Sequence, residues 1–232
     1  MVFCVGICTS MPATLELACF HPDAADLAQL WGVPRVEYCA EALAGGTSPQ
    51  PHEVDRVRRA YRGCLGIMVR PRGGAFEYTD AEFAQMRNEV PRLAAQGVDF
   101  AVWGALTPEG ALDPRMADLA ELAALHGLPW VLHRAFDSAR DPLEALHAAQ
   151  TMGCSRILTG LGATSLETLL ALKGEATLEL LPGGGIRAHN AARYLEAGFD
   201  QIHSAALLDY RANPPLPDRG ETLALLDLCR QS

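Results

Sequence analysis

The 232-residue sequence predicts a single (β/α)8 barrel of the TIM-barrel class. Short apolar runs recur along the chain, and a glycine stands just before seven of them, at intervals of 31, 34, 30, 26, 21 and 24 residues. A stretch with helical periodicity precedes each glycine, most clearly over 113–127. Seven helix–glycine–strand junctions and one opening strand give eight units, as a β/α barrel of about 250 residues requires.

The elements follow from these runs in chain order. The opening strand is predicted at 14–18 and the last helix at 221–231. The other seven strands are predicted within the runs that follow the glycines, namely 33–39, 64–70, 98–104, 128–134, 154–160, 175–183 and 199–205. Glycine is typical of a helix end, because it adopts the left-handed backbone conformation without strain. An open doubly wound sheet is the alternative, but the even spacing shows no boundary between two halves.

Residues 1–13 are predicted to be an N-terminal extension, and residues 14–232 the barrel domain. The extension is faintly similar to a signal peptide, but it lacks a positively charged start, since the first arginine is Arg35. Seven cysteines, an odd number without clustered spacing, argue against a disulfide framework and favour a cytoplasmic location. No apolar run approaches the roughly 20 residues of a membrane-spanning helix.

The charge of the chain argues against several classes of function. The formal net charge is −9, whereas nucleic acids and anionic membranes bind basic surfaces, so neither is an expected partner. Lys173 is the only lysine, and it lies near the end of a predicted helix. Schiff-base chemistry needs a desolvated lysine at the site and is therefore not expected.

In a β/α barrel the functional site lies at the C-terminal ends of the strands. Ionisable side chains end several predicted strands, and five are candidates for catalysis: Glu16, Glu37, Arg70, His133 and His203. Three more are candidates for ligand binding: Arg72, Arg134 and Asp137. Whether His133 or Arg134 faces inward is left open. The same residues also fit a structural ion network that closes the barrel mouth, because a buried charge is costly unless it is paired.

A run of three glycines, Gly183, Gly184 and Gly185, follows the seventh predicted strand. Successive backbone N–H groups in such a loop, at the start of the next helix, bind anions. β/α barrels commonly bind phosphate in the loops after strands seven and eight, where Ser204 adds a hydroxyl donor. These four residues are therefore candidates for binding a phosphate, and a tight turn alone is the alternative.

Glu37 and Cys39 stand two residues apart at the end of the second predicted strand, so their side chains share one face. A buried cysteine is usually a small apolar side chain, but a thiolate is also a soft ligand that selects Cu(I) or zinc. One thiol makes a poor metal site, and Cys19, at the end of the first strand, is the nearest candidate partner. Cys4 and Cys8 in the extension are a further candidate pair.

Four motifs resemble the CutC family of copper homeostasis proteins: RVEYCAEALAGGTSP, VRPRGGAFEYTDAEF, LHRAFDSARDPLEAL and IHSAA. The resemblance extends over most of the chain from about Leu15. It implies a TIM barrel, a cytoplasmic location, a homo-oligomer (dimer or tetramer) and Cu(I) bound by cysteines near the ends of the first two strands. The second-strand cysteine corresponds to Cys39, whereas the first-strand position holds Ala18, beside Cys19. Further residues match family positions, namely Glu16, Glu37, Arg70, Arg72, His133, Arg134, Asp137 and His203.

Two functional hypotheses follow. The first is Cu(I) binding at the C-terminal mouth of the barrel in copper homeostasis, with Cys39 and Cys19 as ligands. The alternative is an enzyme of isomerase or lyase type that acts, without a Schiff base, on a small anionic or phosphorylated metabolite. The general base would be Glu16 or Glu37, and the general acid would be His133 or His203. Arg70 or Arg134 would bind the anionic group of the substrate. A structural or regulatory oligomer is a third hypothesis that no motif favours.

Overall fold

The computed structural model of the chain describes residues 12–160 and 165–232. Almost all of the predicted N-terminal extension, with Cys4 and Cys8, therefore lies outside the described residues, as do residues 161–164 after the sixth strand. Within the described ranges the chain alternates eight strands with eight α-helices, as the sequence predicts. No helix in these ranges has the length and the apolar character needed to cross a membrane.

Parallel strands form the wall of a barrel. They are β1 (Thr14–Cys19), β2 (Arg35–Tyr38), β3 (Cys64–Met68), β4 (Phe100–Trp103), β5 (Trp130–Leu132), β6 (Arg156–Gly160), β7 (Glu179–Gly183) and β8 (Gln201–Ser204). Neighbours pair in the order β7-β6-β5-β4-β3-β2-β1-β8. The described residues contain no ladder between β7 and β8, although Gly183 on β7 packs against His203 on β8. The barrel is therefore nearly closed, and the predicted fold class is confirmed.

Helices cover the outside of the wall. They are α1 (Pro22–Trp31), α2 (Pro51–Ala60), α3 (Asp80–Ala95), α4 (Met116–Leu125), α5 (Pro142–Thr151), α6 (Leu166–Glu175), α7 (Ala188–Glu196) and α8 (Arg219–Gln231). Short 3-10 helices, Ala42–Ala44 and Arg134–Ser138, lie in the loops after β2 and β5. At the start of α3, the N–H of Glu82 donates to the Thr79 hydroxyl and the N–H of Thr79 donates to the Glu82 carboxylate. This reciprocal capping satisfies donors that a helix start leaves free.

The leading glycines end most of the helices in the predicted way. Gly32, Gly97, Gly127, Gly153 and Gly198 have φ values between 64° and 84°, in the left-handed region. The prediction is wrong for Gly174, which lies inside α6. Gly63 is not left-handed either; a Cβ there would lie 2.8 Å from the carbonyl oxygen of Pro34, so this glycine permits a close approach of two backbone segments.

Strand alternation divides the buried side chains between two layers. Outward-facing side chains pack with the helices in the main core, where Trp103 and Trp130 stack with ring centroids 4.9 Å apart. Gly66 leaves room inside the barrel for Phe100, since a Cβ at Gly66 would lie 2.1 Å from the Phe100 ring. A smaller apolar cluster fills one side of the interior and comprises Cys39, Met68, Phe100, Val102 and Val131. The polar groups of the interior come mainly from β1, β2, β6 and β8.

Candidate functional site

A cavity of about 370 Å³ opens at the C-terminal mouth of the barrel. Of the residues predicted from the sequence, the cavity is lined by Glu37, Cys39, Arg70, His133, Arg134, Asp137, Gly184, Gly185, His203 and Ser204. Four other predicted residues do not line it: Glu16, Cys19, Arg72 and Gly183. The volume lies at the lower end of the range for small-molecule sites, so an ion or a small metabolite fits.

Glu37 and His203 lie at the floor of this cavity and form a buried cluster with Glu16, which does not line it. The strand register places Glu16 of β1 beside His203 of β8, and Glu37 lies on β2, the other neighbour of β1. The Nδ1 atom of His203 lies 2.8 Å from Oε1 of Glu16, and its Nε2 atom lies 3.6 Å from Oε2 of Glu37. Three residues predicted from separate strands are thus brought together.

Two arginines hold Glu16 in its ionised form. The Nε atom of Arg35 and the Nη2 atom of Arg156 lie 2.7 and 3.2 Å from the same Glu16 oxygen, Oε2. Burial alone would raise the pKa of Glu16, but Arg35, the His203 hydrogen bond and Arg156 outweigh burial and lower it from 4.5 to about 2. The ionised carboxylate accepts a hydrogen bond from the N–H at Nδ1 of His203. The other ring nitrogen, Nε2, faces Glu37.

The ion network continues below the cavity to the N-terminal end of the barrel, and sequence reasoning missed this lower layer. Arg156 lies 3.4 Å from Glu179, and Gln201 bridges Arg35 and Glu179 with hydrogen bonds of 2.6 and 3.1 Å. Arg35, Arg156 and Gln201 each stand three residues after a leading glycine, so the same count along the strands identifies them. This network differs from the mouth-closing network expected as an alternative, because it lies below the cavity and is made of other residues, apart from the shared Glu16.

The pKa values of Glu37 and His203 are both raised above their ordinary values. Burial raises the pKa of Glu37 from 4.5 to about 7, although His203 opposes the shift. Burial opposes a charge on His203, but the hydrogen bond to Glu16 and the charge of Glu37 leave the pKa of His203 above 6.5. Oε1 of Glu37 has no hydrogen-bond partner among the described residues. The pKa of Glu37 therefore lies near neutrality, as suits a general acid or base, and His203 lies beside it.

His133 is turned into the barrel, whereas Arg134 lies at the rim with a side chain that is 58% exposed. The N–H of Ala135 donates to Nδ1 of His133 at 3.1 Å, so the imidazole proton is on Nε2, which has no partner among the described residues. Burial and the charge of Arg70 lower the pKa of His133 from 6.5 to about 3. The cavity therefore contains a neutral imidazole with a free N–H donor. Gly104 makes room for it, since a Cβ there would lie 2.7 Å from Nδ1.

Arg70 is buried and holds the loop after β2 in place. Its terminal nitrogens donate to the carbonyl oxygens of Ala44, Gly46 and Gly74 at 3.0, 2.9 and 2.8 Å. The guanidinium also lies over the ring of Phe76, 4.8 Å from the ring centroid. All three hydrogen bonds go to neutral oxygen atoms, so within the described part of the chain this positive charge has no carboxylate partner.

Arg72 lies outside the cavity, contrary to its predicted role in ligand binding. Its Nε atom lies 2.6 Å from the carboxylate of Glu82, and a terminal nitrogen donates to the carbonyl oxygen of Ala75. Arg72 therefore orders the loop after β3. The chain has already left the strand at this point, so the alternation that would place Arg70 and Arg72 on one face no longer applies.

Asp137 organises the rim of the cavity. Its carboxylate accepts the N–H of Gly160 at 2.8 Å and the hydroxyl proton of Thr159 at 3.0 Å, and it lies 3.2 Å from Nε of Arg134. Burial raises the pKa of Asp137, with the Gly160 hydrogen bond opposing the shift. Asp137 thus joins the 3-10 helix after β5 to the end of β6, and Arg134 is the more accessible member of the pair.

Two of the three glycines predicted to follow the seventh strand lie in the loop after β7. Gly184 and Gly185 are left-handed, with φ values of 62° and 103°, and line the cavity. Gly183 lies in β7 and serves packing instead, because a Cβ there would lie 2.6 Å from Leu158 and 3.2 Å from Cβ of His203. This glycine allows His203 to take its position at the cavity floor.

Ser204 and the start of α7 are engaged within the protein. The Ser204 hydroxyl donates its proton to the carbonyl oxygen of Ile186 at 2.8 Å. The N–H of Ala188, in the first turn of α7, donates to the carboxylate of Glu221 at 2.8 Å. A carboxylate of the chain therefore already occupies the helix start, and the predicted phosphate cradle of glycine loop, helix start and Ser204 hydroxyl does not fit this geometry.

The two cysteines predicted as metal ligands face opposite sides of the barrel wall. Their backbones are adjacent, since the N–H of Cys39 donates to the carbonyl oxygen of Cys19 at 2.9 Å. Cys19, however, packs in the outer core, whereas Cys39 belongs to the inner cluster. Burial raises the pKa of both thiols. The expected pair of thiolate ligands is not formed, because one step along a strand reverses the side-chain direction.

A second sulfur lies beside Cys39 inside the barrel. A Cβ on Gly46 would lie 3.2 Å from Sγ of Cys39 and 3.5 Å from Cε of Met68, so both side chains contact the same loop glycine. Both also line the cavity. Thiolate and thioether are soft ligands that suit Cu(I). The sulfur pair at the mouth is therefore Cys39 with Met68, and sequence reasoning missed Met68, although it stands five residues after a leading glycine, as Glu37 does.

The floor cluster also offers a set of harder ligands. Glu16, Glu37 and His203 each provide one ligand atom within 4.8 Å of the others. Carboxylates and imidazole suit a cation such as Zn²⁺. Arg35 and Arg156, however, already bind Glu16 and place two positive charges beside it. The arrangement therefore fits an ion-paired proton-transfer cluster better than a metal centre.

Similarity to known proteins assigns the chain to a family. The sequence model of the CutC family matches residues 13–208. A CutC family protein of Proteus mirabilis is 37% identical over 202 residues, which cover 84% of this chain and 79% of the relative. The chain belongs to the CutC family.

Other CutC proteins extend the similarity to the fold. The human copper homeostasis protein cutC homolog is 33% identical over 199 residues, covering 83% of this chain and 72% of its own length. The crystal structure of the putative copper homeostasis protein CutC from Streptococcus agalactiae matches with a TM-score of 0.76 and 27% identity, over 83% of this chain and 98% of that chain. The CutC resemblance and the TIM-barrel fold predicted from the motifs are both confirmed.

Proposed function

We propose that this protein takes part in copper homeostasis and binds Cu(I) at the C-terminal mouth of its barrel. The family and the name of the human relative support the first part. The position of Cys39 carries the second, because among the described cysteines it is the one that lines the mouth cavity. Met68 supplies a second soft sulfur in the same cluster.

The acidity of Cys39 sets the conditions for Cu(I) binding. Burial raises the pKa of this thiol well above 9.0, so the metal has to displace a proton. Ligand deprotonation makes metal affinity depend on pH, and the affinity is expected to rise with pH through the neutral range. Cys19 takes no part in this proposal, because it packs in the outer core.

Replacing Cys39 with serine is expected to weaken Cu(I) binding by at least about 100-fold, since even the loss of a group that only hydrogen-bonds to a metal ligand costs up to that factor. The measurement is anaerobic competition between the protein and a chromogenic Cu(I) chelator. Cys19→Ser is the matched control and should leave the affinity unchanged, whereas Met68→Leu should weaken it. A wild-type protein that fails to compete with a weak chelator, or an unchanged affinity in Cys39→Ser, would exclude the proposal.

We also propose that the protein acts in the cytoplasm as a homo-oligomer, a dimer or a tetramer. The five described cysteines are free thiols, which suits a reducing compartment. Leu30 on α1 and Leu125 on α4 are 75% and 83% exposed and offer apolar surface to a second copy. Light scattering on size-fractionated protein tests this, and a monomer at every concentration contradicts it.

A second candidate function is acid–base catalysis, of isomerase or lyase type, on a small anionic or phosphorylated metabolite. The Glu37–His203 pair at the cavity floor favours it, because burial raises the pKa of Glu37 to about 7 and places this carboxyl group beside an imidazole. Glu16 does not reach the cavity, so it positions His203, and Glu37 is the candidate base. The free N–H of His133 would stabilise an oxygen atom that gains negative charge.

Lys173 takes no part in this chemistry. Its ammonium group donates to the carbonyl oxygen of Gly198 and lies over the ring of Phe199, away from the cavity. Proton transfer without a Schiff base is therefore the reaction type to test, by incorporation of solvent deuterium into small phosphorylated or carboxylated carbonyl compounds. Exchange into at least one such compound is expected, and no exchange into any of them contradicts the second candidate.

A further inference from the structure

Two arginines at the mouth of the barrel have no anionic partner among the described residues, unlike the arginines beneath it, which both bind Glu16. Arg70 donates only to carbonyl oxygens. Arg187, the residue before α7, lines the cavity and donates from Nη2 to the carbonyl oxygen of Leu207 at 2.7 Å. Its Nη1 atom is buried and has no partner among the described residues. Positive charge removed from water in this way is costly unless a ligand compensates it.

A neutral donor adds to these charges. His133 is 3% exposed, and its Nε2–H has no hydrogen-bond partner in the described part of the chain. The ring of Phe76 lies 4.8 Å from the Arg70 guanidinium carbon and 4.9 Å from the His133 ring, so Arg70 and His133 flank one aromatic side chain. Both line the same cavity as Arg187. Three donor groups that lack an anionic partner within residues 12–160 and 165–232 thus face a single small space.

We infer that the cavity binds a small organic anion, whose carboxylate or phosphate group is held by Arg187, Arg70 and His133 while the rest of the molecule faces Glu37 and His203. The inference rests on the second candidate function and names the side chains that hold the acidic group of its ligand. Carboxylate and phosphate share the chemistry that matters, because both accept paired hydrogen bonds from a guanidinium. The volume of about 370 Å³ restricts the ligand to a small metabolite.

Side chains, and not the start of α7, are the anion ligands in this inference. The N–H of Ala188 already donates to the carboxylate of Glu221, and the N–H of Arg187 donates to the side-chain oxygen of Asn190. A second anion at the helix start would meet the negative charge of Glu221. The guanidinium of Arg187 reaches from this position to the cavity and has a donor to spare.

Calorimetric titration of the full chain with inorganic phosphate and with oxalate tests the inference. Wild-type protein is expected to bind at least one of the two saturably, and Arg187→Met to bind it at least about 10-fold more weakly, as expected for loss of a charge-assisted contact. Arg193→Met is the matched control. It removes the same charge from α7, the helix that follows Arg187, but Arg193 lies over the ring of Tyr194 and does not line the cavity. Its affinity should equal that of the wild type.

The outcomes separate this inference from both proposed functions. Binding of phosphate alone or of oxalate alone supports the inference and identifies the acidic group. No saturable binding of either probe, or equal weakening in Arg187→Met and Arg193→Met, overturns it. If Arg187→Met does not fold, thermal unfolding of the wild type decides: phosphate should raise Tm relative to chloride at equal ionic strength, and no rise overturns the inference. Cu(I) binding and deuterium exchange, measured on the same protein, report separately on the two functions.

Discussion

Replacing Glu16 with glutamine is expected to lower the free energy of unfolding by about 3 kcal/mol at pH 7. The Glu16 carboxylate binds Arg35, Arg156 and His203 inside the barrel, and without it their charges are left buried and unpaired. The pKa of Glu16 is about 2 in the folded protein against 4.5 for an unperturbed glutamate. The difference between these two pKa values corresponds to about 3 kcal/mol, in agreement with the expected loss of unfolding free energy.

The pH dependence of this effect has a definite sign. A pKa lowered by folding gives stability that is fully present above pH 4.5 and is lost as the pH falls towards 2. Urea unfolding of wild type and Glu16→Gln should therefore differ most above pH 5 and converge in acid. Glu179→Gln is the control, because Glu179 belongs to the same network but its side chain is 59% exposed, so about 0.5 kcal/mol or less is expected. Equal losses in the two variants would contradict the account.

Glu37→Gln is expected to act on stability in the opposite direction. The pKa of Glu37 is raised from 4.5 to about 7, so the free energy of unfolding of the wild type falls as the pH rises from 4.5 through 7. The variant should match the wild type below pH 4.5 and be more stable than it by about 3 kcal/mol at pH 8. Urea unfolding at these two pH values measures the difference. A variant less stable than the wild type at pH 8 would show that Glu37 is not a strained carboxylate.

The same substitution removes the candidate base. If the wild type exchanges solvent deuterium into a small carbonyl compound, Glu37→Gln should lower that rate by about 10²- to 10⁴-fold. The expected gain in stability serves as an internal control, because it shows that the slower variant is folded. Unchanged exchange in a well-folded Glu37→Gln protein would remove Glu37 from the mechanism.

The fold was predictable because its signals are local and repeated. Glycine after a helix and an apolar run after the glycine recur through the chain, and each run contains a strand. The prediction fails where a glycine serves another purpose. Gly63 permits a close backbone approach, and Gly174 lies within α6, so neither ends a helix in the left-handed conformation.

The candidate site was predictable where strand alternation holds and not beyond the strand ends. Glu37 and Cys39 share the inner face of the barrel, as their spacing predicts. The same alternation turns Cys19 outwards, against its predicted role. Arg70 and Arg72 follow the end of β3, where loop hydrogen bonds decide which side chain reaches the cavity. No spacing rule in one sequence reports such long-range contacts.

The lower ion layer and the engaged helix start have a different explanation. Arg35 and Gln201 stand at the beginning of β2 and β8, whereas the sequence prediction considered the C-terminal strand ends, where a β/α barrel has its functional site. The contact between Glu221 and the N–H of Ala188 joins residues 33 positions apart on α8 and α7. Both depend on how separate β/α units meet around the barrel axis, which the local pattern of each unit does not specify.

Carboxyl-carbon NMR titration of the wild-type protein, with assignments from the Glu16→Gln and Glu37→Gln spectra, tests most directly whether Glu16, Glu37 and His203 meet in one buried cluster. The account predicts that Glu37 titrates with a pKa near 7 and that Glu16 remains ionised down to about pH 3, because its pKa is about 2. Titration of both carboxyl groups near 4.5, as for exposed glutamates, would contradict it.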